Sequence, residues 1–185
     1  MKIAFMGISG SGKDFLASYL ISNHNFIRLS FSDQLKKLAK YIYPWMKEDY
    51  APEEKTIPIN ITLSTGESIS RTPRDIWLSL NNLRKIEDKI FIRMLSEELK
   101  GLEKDRKTNE KIIITDIRSN EELLWCKRND FKIVHIERRN NSYQKYKIDR
   151  HVTENKEKAD YLFDNSENGI DRFKTFFEEV FIDGY

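Results

Sequence analysis

The chain has 185 residues, with 32 Lys and Arg against 30 Asp and Glu, a net charge of +2. That length supports one well-buried core rather than two full domains, and the near balance of charge argues against a broad nucleic-acid footprint while leaving room for a local basic cleft. A lone cysteine, Cys126, fits a reducing compartment, and Met1-Lys2 leads straight into a core-like strand with no apolar run of bilayer length anywhere, so a cytoplasmic protein without signal peptide or membrane contact is expected.

In chain order, Lys2 to Met6 reads as an apolar strand, Gly7 to Gly12 as a glycine-rich turn, and Lys13 to Ile21 as an amphipathic helix. Gly7, Gly12 and Lys13 fit the spacing G-x-x-x-x-G-K, in which backbone N–H groups curl around phosphate oxygens and the lysine neutralises the outer phosphates. Ser9, Gly10 and Ser11 lie inside that loop, and Asp14 stands where a Ser or Thr hydroxyl usually ligates Mg²⁺. A carboxylate can hold this metal too, directly or through water. Phe26 to Phe31 reads as a second strand. Ser32 or Asp33 then caps a helix with Leu35, Leu38, Ala39, Ile42 and Tyr43 on one face, ended by Pro44. Asp33 reads as a cap or, alternatively, as an acid facing a substrate from the strand end.

From Lys47 to Arg71 the texture changes to a loop and a short hairpin turning at Ser64 to Glu67. Thr72-Pro73-Arg74-Asp75 predicts a helix start with a capping box, followed by Ile76, Trp77, Leu80 and Leu83 on its apolar face. A further helix carries Ile90, Phe91, Met94, Leu95 and Leu99 and is expected to stop at Gly101. Lys111 to Asp116 is an unbroken apolar run closed by an acid, the pattern of a strand buried on both faces of a parallel sheet. Ser119 starts the next helix, Phe131 to Ile136 the next strand, and Tyr161 to Phe163 a fifth strand before a closing helix with Phe173, Phe176 and Phe177 inward.

Strand and helix thus alternate around a phosphate loop, which predicts an α/β fold of three layers with a five-stranded parallel sheet. Ligands of such a sheet sit beyond the carboxyl ends of the strands. That rule places Asp116 and Arg118 beside the loop, with Asp116 as the Mg²⁺ acid of the second motif of phosphate-loop proteins. Arg71, Arg74, Arg118, Arg138, Arg139 and Arg150 supply the guanidinium groups that phosphoryl transfer needs around the moving phosphate. Two segments flanking the core, about 44–102 and 138–155, read as a substrate clamp and a lid, leaving 1–43, 103–137 and 156–185 as the core of a single domain. His24, His135 and His151 do not cluster at a zinc-like spacing.

Gly-Ile-Ser-Gly-Ser-Gly-Lys-Asp at 7–14, Phe-Ser-Asp-Gln-Leu-Lys at 31–36, Thr-Pro-Arg-Asp at 72–75, Thr-Asp-Ile-Arg-Ser-Asn-Glu at 115–121, Ile-Glu-Arg-Arg at 136–139 and His-Val-Thr-Glu at 151–154 occur in this order. Together they resemble the bacteriophage deoxynucleoside monophosphate kinases, within the nucleoside monophosphate kinase fold. The resemblance implies ATP- and Mg²⁺-dependent phosphorylation of deoxynucleoside monophosphates, a nucleotide-binding helical insertion and a lid. It implies that Lys13 carries the transferring phosphate, that Asp14 and Asp116 serve the metal, and that Arg74 and Arg118 hold the acceptor. Arg138 or Arg139 would act from the lid, Asp33, Lys36, Glu121, Arg150, His151 and Glu154 would contact substrate, and Asn120 matches a family position loosely. His151 and Glu154 also fit a local helix-start pair. Many members are dimers, so a homodimer is the corresponding expectation. Two other readings stay open on the residues alone: another phosphate-loop kinase with an alcohol or phosphorylated metabolite as acceptor, and a regulator that holds ATP without turnover.

Overall fold

The computed structural model describes residues 1–51, 53–62, 64–105, 110–138, 147–167 and 169–184. In chain order the strands and α-helices are β1 (Lys2–Met6), α1 (Lys13–His24), β2 (Ile27–Leu29), α2 (Phe31–Ile42), β3 (Ile59–Thr62), β4 (Ser68–Arg71), α3 (Pro73–Asn81), α4 (Ile90–Asp105), β5 (Ile112–Ile117), α5 (Asn120–Arg128), β6 (Lys132–Glu137), α6 (Lys147–Glu154), β7 (Tyr161–Asp164) and α7 (Ile170–Phe177). They divide into two compact units, one of Met1–Ser30 with Leu99–Tyr185 and one of Phe31–Glu98.

The first unit is built on the predicted five-stranded sheet, in the order β2-β5-β1-β6-β7 with every pairing parallel. Strands buried on both faces need apolar residues at every position, which explains the runs without alternation. On β1 and β5, Ile3, Ala4, Phe5, Ile112, Ile113 and Ile114 are all essentially inaccessible. One face is covered by Leu16, Ala17 and Leu20 of α1 and Phe173 and Phe177 of α7. Edge-to-face packing of Phe173 on Phe5, at 5.9 Å between centroids, locks the closing helix to the central strand. The chain then makes a π-helical turn over Glu178–Ile182, which brings Phe181 into the same cluster.

β1 is central, and the chain steps from it to β2 at one edge, returning later to fill the gap with β5. The strand order reverses beside β1, so the loop after it opens at the switch point where such sheets bind ligands.

The second unit runs from Phe31 to Glu98, and within it α2 packs with α3 through Ala39, Met46 and Ile76. Tyr43, Tyr50, Trp77 and Leu80 pack around that nucleus. The predicted hairpin is present as the antiparallel pair of β3 and β4.

Several boundaries differ from expectation for local reasons. β2 is only three residues long, because α2 starts already at Phe31, so Asp33 lies in the first turn and not at the cap. Ile42 is exposed and Gln34 is buried instead, its amide Nε2 donating to Glu98 Oε2 at 2.6 Å. Gly101 does not end α4, which runs on to Asp105; a glycine stops a helix by adopting positive φ, and Gly101 is not among the positive-φ glycines. Among the described residues no helix is long and apolar enough to cross a membrane.

Candidate active site

The loop between β1 and α1 owes its path to close contacts that only glycine permits. A Cβ on Gly7 would press on the Ile136 carbonyl oxygen and Ser11 Oγ, and one on Gly12 would collide with Asn165 Nδ2. Gly12 also has φ 91° and forms the N-cap of α1 without a side-chain cap, so the first amides of the helix face outward at the positive end of its dipole. Lys13 is buried beneath this turn, and its Nζ donates to Gly7 O at 2.7 Å, Ile8 O at 2.8 Å and Ser11 Oγ at 3.2 Å. The ammonium therefore cross-links the two ends of the loop while adding its charge to the anion site. Ser9 and Gly10 form the tip, and Asp14 is exposed in the first turn of α1.

Asp116 lies within β5 rather than beyond it, one residue from the strand end, and is 7% exposed. Its Oδ2 accepts a hydrogen bond from Ser30 Oγ at 2.8 Å. Arg118 follows immediately, half-buried, with its backbone N–H donating to Glu122 Oε2 at 2.8 Å. That carboxylate also accepts from Ser119 N at 3.0 Å, while Ser119 Oγ accepts from Glu122 N, closing a capping box on α5. Glu122, 1% exposed, is thus what sets the backbone from which Arg118 projects. Glu121 is half-buried in the same first turn, and Asn120 Oδ1 accepts from Lys158 Nζ at 3.0 Å.

Arg138 is exposed directly after β6, and Arg139 lies outside the described residues. Arg150, His151 and Glu154 come together on α6. Glu154 accepts from Arg150 Nε at 2.7 Å and lies 3.6 Å from His151 Nδ1. This cluster is at the end of α6 and not at a helix start, so the expected start pair is corrected. All three side chains are largely exposed, where such pairs add well under about 1 kcal/mol.

Asp33, Lys36 and Arg74 belong to the second unit. Lys36 Nζ bridges Asp33 at 3.1 Å and Asp49 at 3.2 Å and lies 6.0 Å from the Trp77 ring centroid. Burial pulls the Lys36 ammonium down, but the two carboxylates outweigh it and hold its pKa above the ordinary lysine value. Arg74 sits in the first turn of α3, which the Thr72–Asp75 capping box fixes: Thr72 Oγ1 accepts from Asp75 N at 3.0 Å and donates to Asp75 Oδ2 at 2.7 Å.

Sequence reasoning missed four residues around the loop: Ser30, Glu122, Asn165 and His135. Ser30 and Asn165 are small polar residues beside apolar runs, a signal that names no partner. His135 is 5% exposed on β6, paired beside Met6 of β1, and among the described residues neither ring nitrogen has a hydrogen-bond partner. Burial pushes its pKa from 6.5 down to about 4; Glu137 opposes this, and Lys156 and Lys13 reinforce it. Between those two values the unfolded chain accepts a proton that the folded chain refuses, so stability falls as pH drops through 6.5 and the loss levels off near pH 4. The expected loss from His135 is about 2 kcal/mol between pH 7.5 and pH 5, measured by urea unfolding. His135→Leu removes that part of the slope, and an equal acid sensitivity in the variant would assign it elsewhere.

A glycine loop at the switch point of a parallel sheet, its lysine buried beneath it and a buried acid on the neighbouring strand form the donor-site arrangement of phosphate-loop proteins, and the family match makes this chain an ATP-dependent phosphotransferase. Among solved structures, dephospho-CoA kinase from Campylobacter jejuni is similar over 100% of both chains, with a TM-score of 0.54 and 15% identity, a likeness of fold. The chain belongs to the deoxynucleotide monophosphate kinase family, whose model matches residues 83–175, about half of its length. Among curated proteins no sequence matches this chain.

Proposed function

We propose that the protein transfers the γ-phosphate of ATP to a deoxynucleoside monophosphate, giving the deoxynucleoside diphosphate and ADP. The observation that carries this reading is the Lys13-centred loop at the switch point, in a chain whose family is that of deoxynucleotide monophosphate kinases. An oxygen of the acceptor phosphate attacks the γ-phosphorus, and the bond from that phosphorus to the β,γ-bridging oxygen breaks. The acceptor phosphate is already ionised, so no strong general base is required.

In this reading the loop amides of Gly7 to Lys13 and the Lys13 ammonium bind the donor phosphates. Arg118 is assigned to the acceptor phosphate, the family resemblance assigns Arg74 the same role, and Arg138 and Arg139 are assigned to charge developing in the transition state. Segment 138–155 is assigned as the lid, with Arg150, His151 and Glu154 in it, and Asp33, Lys36 and Glu121 as further substrate contacts.

The donor set also fits Mg²⁺: among the described residues no group of three or more His, Cys, Asp or Glu gathers as a dedicated cage, and Asp116 is a buried carboxylate on the strand paired with β1. This ion prefers one or two carboxylates plus substrate phosphates and water, so Asp116 and Asp14 would hold it, and it would neutralise phosphate charge when bound. Ser30 keeps the Asp116 carboxylate oriented.

The test is ADP release from ATP and Mg²⁺ with each deoxynucleoside and ribonucleoside monophosphate offered separately, and with dephospho-CoA as a comparison acceptor. Turnover that depends on a deoxynucleoside monophosphate is expected. ATP binding with no stimulation by any nucleotide would overturn the proposal.

A further inference from the structure

The last crossover of the sheet reaches back to the phosphate loop through one side chain. Asn165 follows β7, and its backbone N–H donates to Glu137 O at 2.7 Å, extending the sheet by one bond. Its side chain turns inward, leaving the residue 8% exposed, and Nδ2 donates to the carbonyl oxygen of Ser11 at 2.9 Å in a buried bond across 154 residues. The carboxamide has glycine on both sides: a Cβ on Gly12 would collide with Nδ2, and a Cβ on Gly169 would collide with Oδ1. A carbonyl oxygen only accepts, so the Ser11 contact requires the NH₂ end of the amide to face the loop.

We propose that Asn165 is a positioning residue for the donor site, latching the Ser11–Gly12 peptide so that the Gly12 N–H faces the phosphates of ATP. In a planar trans peptide the C=O and the following N–H point in opposite directions. Anchoring Ser11 O toward Asn165 therefore aims the Gly12 N–H away from Asn165. The latch has a clear reason to exist. Gly12, whose N–H belongs to this peptide, has φ 91°, Gly10 on the other side of Ser11 has φ 82°, and glycine permits the alternative orientations that side chains forbid. A rotated peptide would offer the phosphates a carbonyl oxygen in place of a donor. Other bonds of the loop run from Ser11 N to Ile8 O and from Lys13 Nζ to Gly7 O, Ile8 O and Ser11 Oγ, and none of these ends on the Ser11 carbonyl or the Gly12 amide. The inference rests on the reading of the loop as the ATP site and is independent of which acceptor is used.

The experiment compares wild type with Asn165→Asp, which keeps the shape but loses the donor, and Asn165→Ala, which loses the donor without adding charge. ATP affinity is measured by equilibrium titration with no acceptor present, and KM for ATP and for the acceptor are measured separately. Both variants are expected to bind ATP about tenfold or more weakly, with KM for ATP raised and KM for the acceptor nearly unchanged. A purely structural role would instead lower the fraction of active protein and leave both KM values alone. Folded variants with wild-type affinity for ATP would overturn the inference. Should neither variant fold, wild-type NMR decides. ATP should shift the Gly12 amide resonance and slow exchange of the Asn165 carboxamide protons, and an unmoved Gly12 resonance at saturating ATP would overturn it equally. Wild type that binds ATP yet phosphorylates no deoxynucleotide would remove the proposed acceptor and leave the latch standing.

Discussion

Lys13→Ala is expected to lower kcat/KM by on the order of a hundredfold or more, a loss of about 2.7 kcal/mol of transition-state stabilisation, while the protein remains folded. Two effects add. The variant removes the positive charge that meets the outer phosphates, and it removes the three hydrogen bonds by which Nζ ties Gly7, Ile8 and Ser11 together. Lys13→Arg does not restore activity in this account, because the planar guanidinium cannot reproduce a compact ammonium buried under the loop. Steady-state kinetics with circular dichroism as a check on folding would decide the matter. Near-normal turnover in a folded Lys13→Ala protein would remove the donor site from this loop.

Arg118→Ala is expected to cost a similar factor, on the order of a hundredfold, for a different reason. Its backbone N–H is held by the buried Glu122 carboxylate, an interaction the substitution leaves intact, so the loss falls on the guanidinium alone. KM for the acceptor should rise and kcat fall, whereas ATP affinity measured without acceptor should change little. A loss confined to ATP binding would move Arg118 from the acceptor to the donor phosphates. Wild-type kinetics in this variant would remove it from the site.

The two substitutions also show which parts of the site the sequence made legible. The loop was readable because glycine spacing, the buried lysine and the helix start all lie within eight consecutive residues, 7–14. The capping box at Thr72 was readable for the same reason, since donor and acceptor are three residues apart, and Ser119 was readable as a helix start. The end of α4 was misjudged at Gly101 because composition shows that a glycine can adopt positive φ and not whether it does. The apolar face of α2 was only partly readable because Ile42 and Gln34 exchange the burial that their polarity suggests, and only the bond from Gln34 to Glu98 explains why an amide is inside.

By itself, then, the sequence determined the strand and helix types, the phosphate loop, the Thr72 capping box and the phosphate-transferring character of the chain, all of which depend on neighbours a few residues apart. Only the tertiary structure decided that Ser30 orients Asp116 across 86 residues, that Asn165 holds Ser11 across 154, and that His135 is a neutral buried imidazole beside β1. Those partners are set by the strand order β2-β5-β1-β6-β7. A run of apolar residues specifies that a strand is buried but not which strand lies beside it, so contacts between strand ends cannot be read from the runs.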